Sequence, residues 1–191
     1  LFGSVGELAR FSDAVIIAVK PQDFAQVTRE LSAFSDGRLF VSIAAGIGTR
    51  SIEEALKGKA RVMRVMPNAP ALVGEGMSAI CRGRFATAAD LKATVEIFSS
   101  VGETVVLSEG YFDLVTAISG SGPAYFFYLK EALIEAAVRL GMKKDMARKL
   151  VSKTAFGAAK LLVETGHEPA VLRGRVTSRG GTTEHAIEVF E

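Results

Sequence analysis

One cysteine in 191 residues leaves no internal disulfide to form, which suits a reducing compartment, and a cytoplasmic location is expected. That residue, Cys81, lies in the strand-like stretch GMSAICR and reads as a packing thiol rather than a nucleophile. No apolar run approaches the roughly 20 residues needed to span a bilayer, and the opening LFGSVGELARF has no signal-peptide pattern. The formal net charge is only +2, so nothing points to nucleic acid or an acidic membrane as partner. With His167 and His185 as the two histidines, neither in a recognisable motif, a His-based triad has few candidates. Zinc-type His/Cys spacing, HExxH, a P-loop and a G-x-S-x-G elbow are all missing, and no metal is expected.

A hydrophobic content of 49% is that of a globular chain with a sizeable core. In the first half, strand and helix signals alternate. DAVIIAV (residues 13–19) is a continuous β-branched run, as for a parallel strand covered on both faces. It stops at Lys20-Pro21. LFVSIAAGIG (39–48) repeats the design and ends in the small-residue turn Ala44-Ala45-Gly46. The spacing SIEE predicts a helix capped by Ser51, with Glu54 reaching back. RVMRVMPNAP and GMSAICR follow as strands, then a helix with Thr87 as N-cap, then the strand ETVVLSE. This alternation implies an α/β fold with a partial Rossmann-type, doubly wound sheet. Ligands in such sheets bind beyond the carboxyl ends of the strands.

From about Glu109 the pattern is helical only. SGSGPAYFFYLKEALIEAAVRLGM has Pro123 at its first helical position and closes at Gly141, and its apolar residues cover nearly the whole circumference. So small a helical segment has little core with which to bury such a helix. A second subunit would supply the missing surface. The expected division is a dinucleotide-binding domain over 1–108 and a helical dimerisation and substrate-binding domain over 109–191, with a second long helix over about 144–164.

Lys20 reads either as a solvated lysine before a turn-forming proline or as a donor to a cofactor phosphate or ribose. Ala44-Ala45 is small for the turn, or small so that a cofactor can lie against the backbone. Asn68, between Pro67 and Pro70, fits a turn and is also counted among the cofactor contacts. Gly180-Gly181-Thr182-Thr183 precede a final helix. Bare N–H groups and a hydroxyl at a helix start seat a small anion such as a carboxylate, though either threonine could simply cap its own helix. Arg173, Arg175 and Arg179 crowd the same stretch.

Taken in order, AVKPQ, SIAAGI, RVMPNAPALVGEGM, AISGSGPAYFF and VTSRGGTTEHAI resemble the pyrroline-5-carboxylate reductase family over nearly the whole chain. The resemblance implies reduction of the cyclic imine pyrroline-5-carboxylate to proline with NADPH or NADH, and a homodimer or larger assembly through the helical domain. It also implies site residues. Ala18, Val19, Lys20 and Pro21 match the family's loop at the cofactor, and Ile43, Ala44 and Ala45 its second cofactor-lining turn. Gly180, Gly181, Thr182 and Thr183 match the segment that holds the substrate carboxylate, with the Thr183 hydroxyl near the imine nitrogen as the catalytic donor. Residues 119–123 match the loop that opens the first dimerisation helix.

The chain departs from the family at five points. The G-x-G-x-x-G unit expected before Leu1 and the tail expected after Glu191 are not in the sequence. Arg179 stands where the family usually has proline, Ala69 where threonine is usual, and Val5 near a frequent cofactor-facing asparagine. Two other readings stay open: a related reductase or dehydrogenase acting on another carboxylated substrate, for which Lys153 or Lys160 could serve, and a non-catalytic dimerising module or pseudoenzyme that binds a small carboxylate.

Overall fold

The computed structural model describes residues 2–191. They form two compact units, the first running to Tyr125 and the second spanning Phe126–Glu191.

The first unit is built on β1 (Ala14–Ile17), β2 (Leu39–Ser42), β3 (Arg61–Met66), β4 (Gly76–Arg82) and β5 (Gly102–Val106), which lie in that order in one sheet. β1, β2 and β3 are parallel, β4 runs antiparallel to β3, and β5 is parallel to β4. The reversal follows from chain length. A parallel crossover takes a dozen or more residues, usually with a helix, whereas β3 and β4 are joined by a short link containing the 3-10 turn Ala69–Val73. The helices of this unit are α1 (Val5–Arg10), α2 (Phe24–Leu31), α3 (Thr49–Leu56), α4 (Ala88–Ser99) and α5 (Phe112–Val115).

Helices cover the sheet on both sides. Strand side chains alternate between faces, so Val15, Ile17, Phe40 and Val62 meet Leu31 of α2 and Ile52 and Leu56 of α3 on one face. On the other face, Val41, Met63, Val65 and Ile80 pack against Phe98 of α4. All four residues of β2 are buried, three of them apolar and the fourth Ser42. Each large side chain so buried contributes about 1.5–3 kcal/mol. β1 differs from expectation: it lies at the edge of the sheet, and Ile16 on its second face remains 47% exposed.

The start of α3 is a second correction. The local SIEE box is not used. The helix begins at Thr49 with Gly48 as N-cap, and Glu54 instead pairs with Arg50 at 2.9 Å on the surface. A carboxylate from elsewhere in the fold, Glu109, satisfies the first turn. By contrast, Thr87 caps α4 as its sequence predicts, and Asp90 completes a reciprocal box.

α6 (Gly122–Arg139) starts in the first unit and continues into the second, which also holds α7 (Lys144–Thr165), α8 (Pro169–Arg175) and α9 (Thr182–Phe190). Its apolar residues are largely open: Phe126 is 74% exposed, and Phe127, Tyr128 and Leu133 are exposed with it. Phe126, Leu129 and Leu133 of α6, with Leu150, Ala155 and Leu162 of α7, line an apolar groove of about 600 Å³. Among the described residues no helix is long and apolar enough to cross a membrane.

Candidate active site

Because β1, β2 and β3 are parallel, their carboxyl ends share one edge of the sheet, and this sets the candidate cofactor residues together. After β1, Ala18 is exposed and Val19 packs on the core. Lys20 opens the 3-10 turn Pro21–Asp23, its carbonyl accepting from the Asp23 N–H at 2.9 Å. The Lys20 side chain is exposed and forms no ion pair among the described residues. After β2, the Ile43 N–H donates to the Ile17 carbonyl at 3.1 Å, so the two strand ends are tied to each other. Ala44 is buried, its N–H donating to Ser42 Oγ at 3.3 Å, while Ala45 presents a methyl group to solvent.

Asn68 follows β3, half-buried, with both the oxygen and the nitrogen of its side-chain amide hydrogen-bonded. Oδ1 accepts from the Met77 N–H at 2.9 Å, and Nδ2 donates to the carbonyl and hydroxyl oxygens of Ser119, both at 3.3 Å.

Behind this edge lies a group of residues that the sequence reading missed. Arg64, in the middle of β3, is buried with its Nη1 3.0 Å from Glu109 Oε1 and its guanidinium 4.6 Å over the Phe112 ring. Glu109 also accepts from the Thr49 N–H and from Thr49 Oγ1, each at 2.7 Å, so one carboxylate joins β3, the start of α3 and the turn before α5. Partial burial alone would raise the Glu109 pKa. The bonds from the Thr49 amide and hydroxyl and from Arg64 outweigh it and hold the carboxyl below its ordinary value. Nearby Cys81 is pushed up to about 12, by burial first and by the Glu109 charge second, with Arg64 offsetting only part. It is the inert packing thiol its sequence context indicates. The signal that was available is an arginine at a core-facing position of an apolar strand, which requires an acidic partner somewhere in the fold.

In the second unit, the stretch before α9 is a tight turn. The Gly181 N–H donates to the Ser178 carbonyl at 2.9 Å, and Gly180, at the third position, has φ of +70°. Arg179 at the second position is not among the residues with positive φ, which makes this a type II turn. The two glycines therefore have separate reasons. Gly180 takes a left-handed conformation, and a Cβ on Gly181 would stand 2.9 Å from the Ser178 carbonyl oxygen. Gly181 is the N-cap of α9, and neither threonine hydroxyl caps the helix. The Thr182 and Thr183 side chains make no hydrogen bond among the described residues. The Gly180 N–H, however, already donates to the Glu184 carboxylate at 2.6 Å. Arg173 pairs with Glu191 at 3.6 Å. His167 is exposed, and His185 lies 3.2 Å from Glu188 on the surface. Among the described residues no cluster of His, Cys, Asp or Glu could hold a metal ion.

Comparison with known proteins finds relatives that match nearly the whole chain. Residues 109–191 match the family profile described as pyrroline-5-carboxylate reductase dimerisation, and residues 2–46 match one described as NADP oxidoreductase, coenzyme F420-dependent. The pyrroline-5-carboxylate reductase of Methanosarcina acetivorans is 45% identical over 185 residues, covering 96% of this chain and 68% of that protein. The Arabidopsis thaliana reductase is 41% identical over 192 residues, covering 100% of this chain and 69% of its own. Among solved structures, a pyrroline-5-carboxylate reductase from Coxiella burnetii aligns with a TM-score of 0.87 at 36% identity, over 99% of this chain and 71% of that one. The Plasmodium falciparum pyrroline carboxylate reductase, solved with NADP bound, aligns with a TM-score of 0.92 at 32% identity, over 98% of this chain and 72% of its own.

Proposed function

The chain belongs to the pyrroline-5-carboxylate reductase family, and on that premise we propose how its residues serve the NAD(P)H-dependent reduction of 1-pyrroline-5-carboxylate to L-proline. The observation that carries the proposal is the convergence of Lys20, Ala44-Ala45 and Asn68 on one edge of the parallel strands, where α/β sheets bind their ligands. That edge suits a dinucleotide. Ala44 and Ala45 project no more than a methyl group, so the cofactor can lie against backbone, and the uncommitted Lys20 ammonium can meet a phosphate or a ribose oxygen. When bound there, NAD(P)H supplies the hydride.

The substrate role falls to the start of α9. The first-turn amides of Thr182 and Thr183 face outward from a helix N-terminus and suit the substrate carboxylate, with Gly180 and Gly181 keeping side chains out of the way. Thr183 Oγ1 donates a hydrogen bond to the imine nitrogen, which withdraws electron density from the C=N bond and favours hydride addition at carbon, while the nitrogen takes the matching proton from solvent. In this scheme residues 1–108 serve the cofactor, and residues 109–191 serve the substrate and the contact between copies. The open faces of α6 and α7 are the surface through which two copies pair. A reducing compartment such as the cytoplasm agrees with the buried thiol of Cys81.

Steady-state oxidation of NADPH by the chain, with pyrroline-5-carboxylate as acceptor, tests the reading. Thr183→Ala should lower kcat by about 100-fold or more, and Thr183→Ser should keep most of it. An alanine variant with unchanged turnover removes Thr183 from its role. One observation favours the rival, non-catalytic reading: Glu184 already occupies the Gly180 N–H. Under that reading proline would raise the melting temperature while neither nicotinamide cofactor did.

A further inference from the structure

Asn68 stands where three segments of the first unit come together: the end of β3, the start of β4, and the turn that leads into α6. We propose that Asn68 is a positioning residue whose amide latches that turn to the carboxyl edge of the sheet, and that it acts on the reaction through this latch rather than by touching the cofactor. The proposal rests on the cofactor lying at this edge.

The orientation of the amide follows from its neighbours. The Met77 backbone N–H can only donate, so the group 2.9 Å from its nitrogen is the Asn68 oxygen. Both protons of Nδ2 then point the other way, toward the carbonyl and hydroxyl of Ser119. Oxygen and nitrogen are thus both engaged by protein groups, and little of the amide remains to recognise a ligand.

Residues Thr116–Gly120, the target of the latch, form a π-helical turn, with the Ser121 N–H donating to the Thr116 carbonyl at 2.8 Å. Such turns are uncommon because they pack less efficiently than an α-helix, and they persist where surrounding contacts hold them. Two other bonds hold this one locally: Thr116 Oγ1 donates to the Phe112 carbonyl at 2.7 Å, and the Tyr125 hydroxyl to the Ala117 carbonyl at 3.1 Å. Among the described residues, only Asn68 ties it to the strand ends by a side-chain hydrogen bond. The turn lies close against β3, since a Cβ on Gly120 would crowd the Met66 methyl. α6 follows directly at Gly122. The latch therefore fixes the turn beside the cofactor edge of the first unit. Hydride transfer is sensitive to misplacement of about 1 Å.

Asn68→Asp separates the two halves of the amide. One carboxylate oxygen keeps the Met77 bond, while the other replaces a donor with an acceptor facing the Ser119 carbonyl. Residue-resolved hydrogen exchange should show the Met77 amide still protected and the Ser121 amide exchanging at least about tenfold faster than in the unsubstituted chain. Unchanged exchange at Ser121 overturns the latch, and this readout needs no turnover. Absence of turnover in the unsubstituted chain would count against the proposed function alone. In the active enzyme, Asn68→Asp should lower kcat by about tenfold, with KM for cofactor and imine each within about threefold. A loss confined to the cofactor KM overturns the proposal in favour of direct contact. Ser119→Ala keeps the carbonyl acceptor and should cost less. The double variant should be no slower than Asn68→Asp, because both changes act on one connection. If Asn68→Asp does not fold, Ser119→Ala decides: a lower kcat at constant KM supports the latch, and an unchanged kcat refutes it.

Discussion

Replacing Glu109 by glutamine removes one negative charge from the join between β3, α3 and α5 while leaving its shape nearly intact. The Arg64 side chain is only 7% exposed, so its cation cannot turn to water when the partner is neutralised. Breaking a fully buried ion pair from one side costs about 3–5 kcal/mol. The Glu109 side chain is 36% exposed, and water screens part of that interaction, so we reduce the figure by about half. The glutamine oxygen can still accept from the Thr49 N–H but not from the Thr49 hydroxyl as well. A loss of about 2 kcal/mol results, or about 4–8 °C in Tm for a chain of this size. The assay is urea unfolding at fixed protein concentration, on Glu109→Gln, Arg64→Met and the double variant. Since the double variant leaves no uncompensated charge in the interior, it should lie at least about 1 kcal/mol above the sum of the single losses. A Glu109→Gln protein within about 0.5 kcal/mol of the unsubstituted chain, or a double variant that is simply additive, would refute the reasoning.

Acid should erase part of that difference. A carboxyl held below its ordinary pKa in the fold adds stability that is fully present above the unfolded value, near 4.5, and is lost as pH falls through the folded one. The gap between Glu109→Gln and the parent should therefore shrink below about pH 4, and a constant gap down to pH 2.5 contradicts this. Cys81, with its pKa near 12, should resist a thiol-modifying reagent at pH 8 until the chain unfolds. Labelling in native buffer as fast as in urea would show the side chain to be accessible. Arg179→Pro should stabilise the chain by about 0.4–1 kcal/mol, because proline suits the second position of a type II turn and no hydrogen bond among the described residues uses the Arg179 N–H. A lower Tm would mean that the turn is of another type.

Where the local sequence and the fold agree, the elements could be read directly. β2 is a mostly apolar run buried at every position, as a strand covered on both faces requires, and Thr87 caps α4 with Asp90 three residues on. The failures share a cause. Ser51 has the right neighbours for a capping box, yet α3 starts before it because Glu109, distant in sequence, offers a stronger acceptor to Thr49. The site shows the same division. Small residues at strand ends and paired glycines before a helix are visible as letters. That the Asn68 amide is engaged by Met77 and Ser119, and the Gly180 N–H by Glu184, depends on which groups the fold brings near them. Residue type indicated where ligands would bind, but how many donors the protein leaves free for them is a property of the packed structure.

The uncovered rings along α6 have a kinetic consequence. Under the pairing proposed above, a newly made copy would carry Phe126, Phe127 and Tyr128 in water until another copy covered them, so how long that surface stays open would depend on encounter rate and therefore on expression level. At low abundance the chain would spend longer as a species that proteases and chaperones recognise. For such a protein dilution acts as a denaturant, and its lifetime in the cell is set partly by how many copies are made at once.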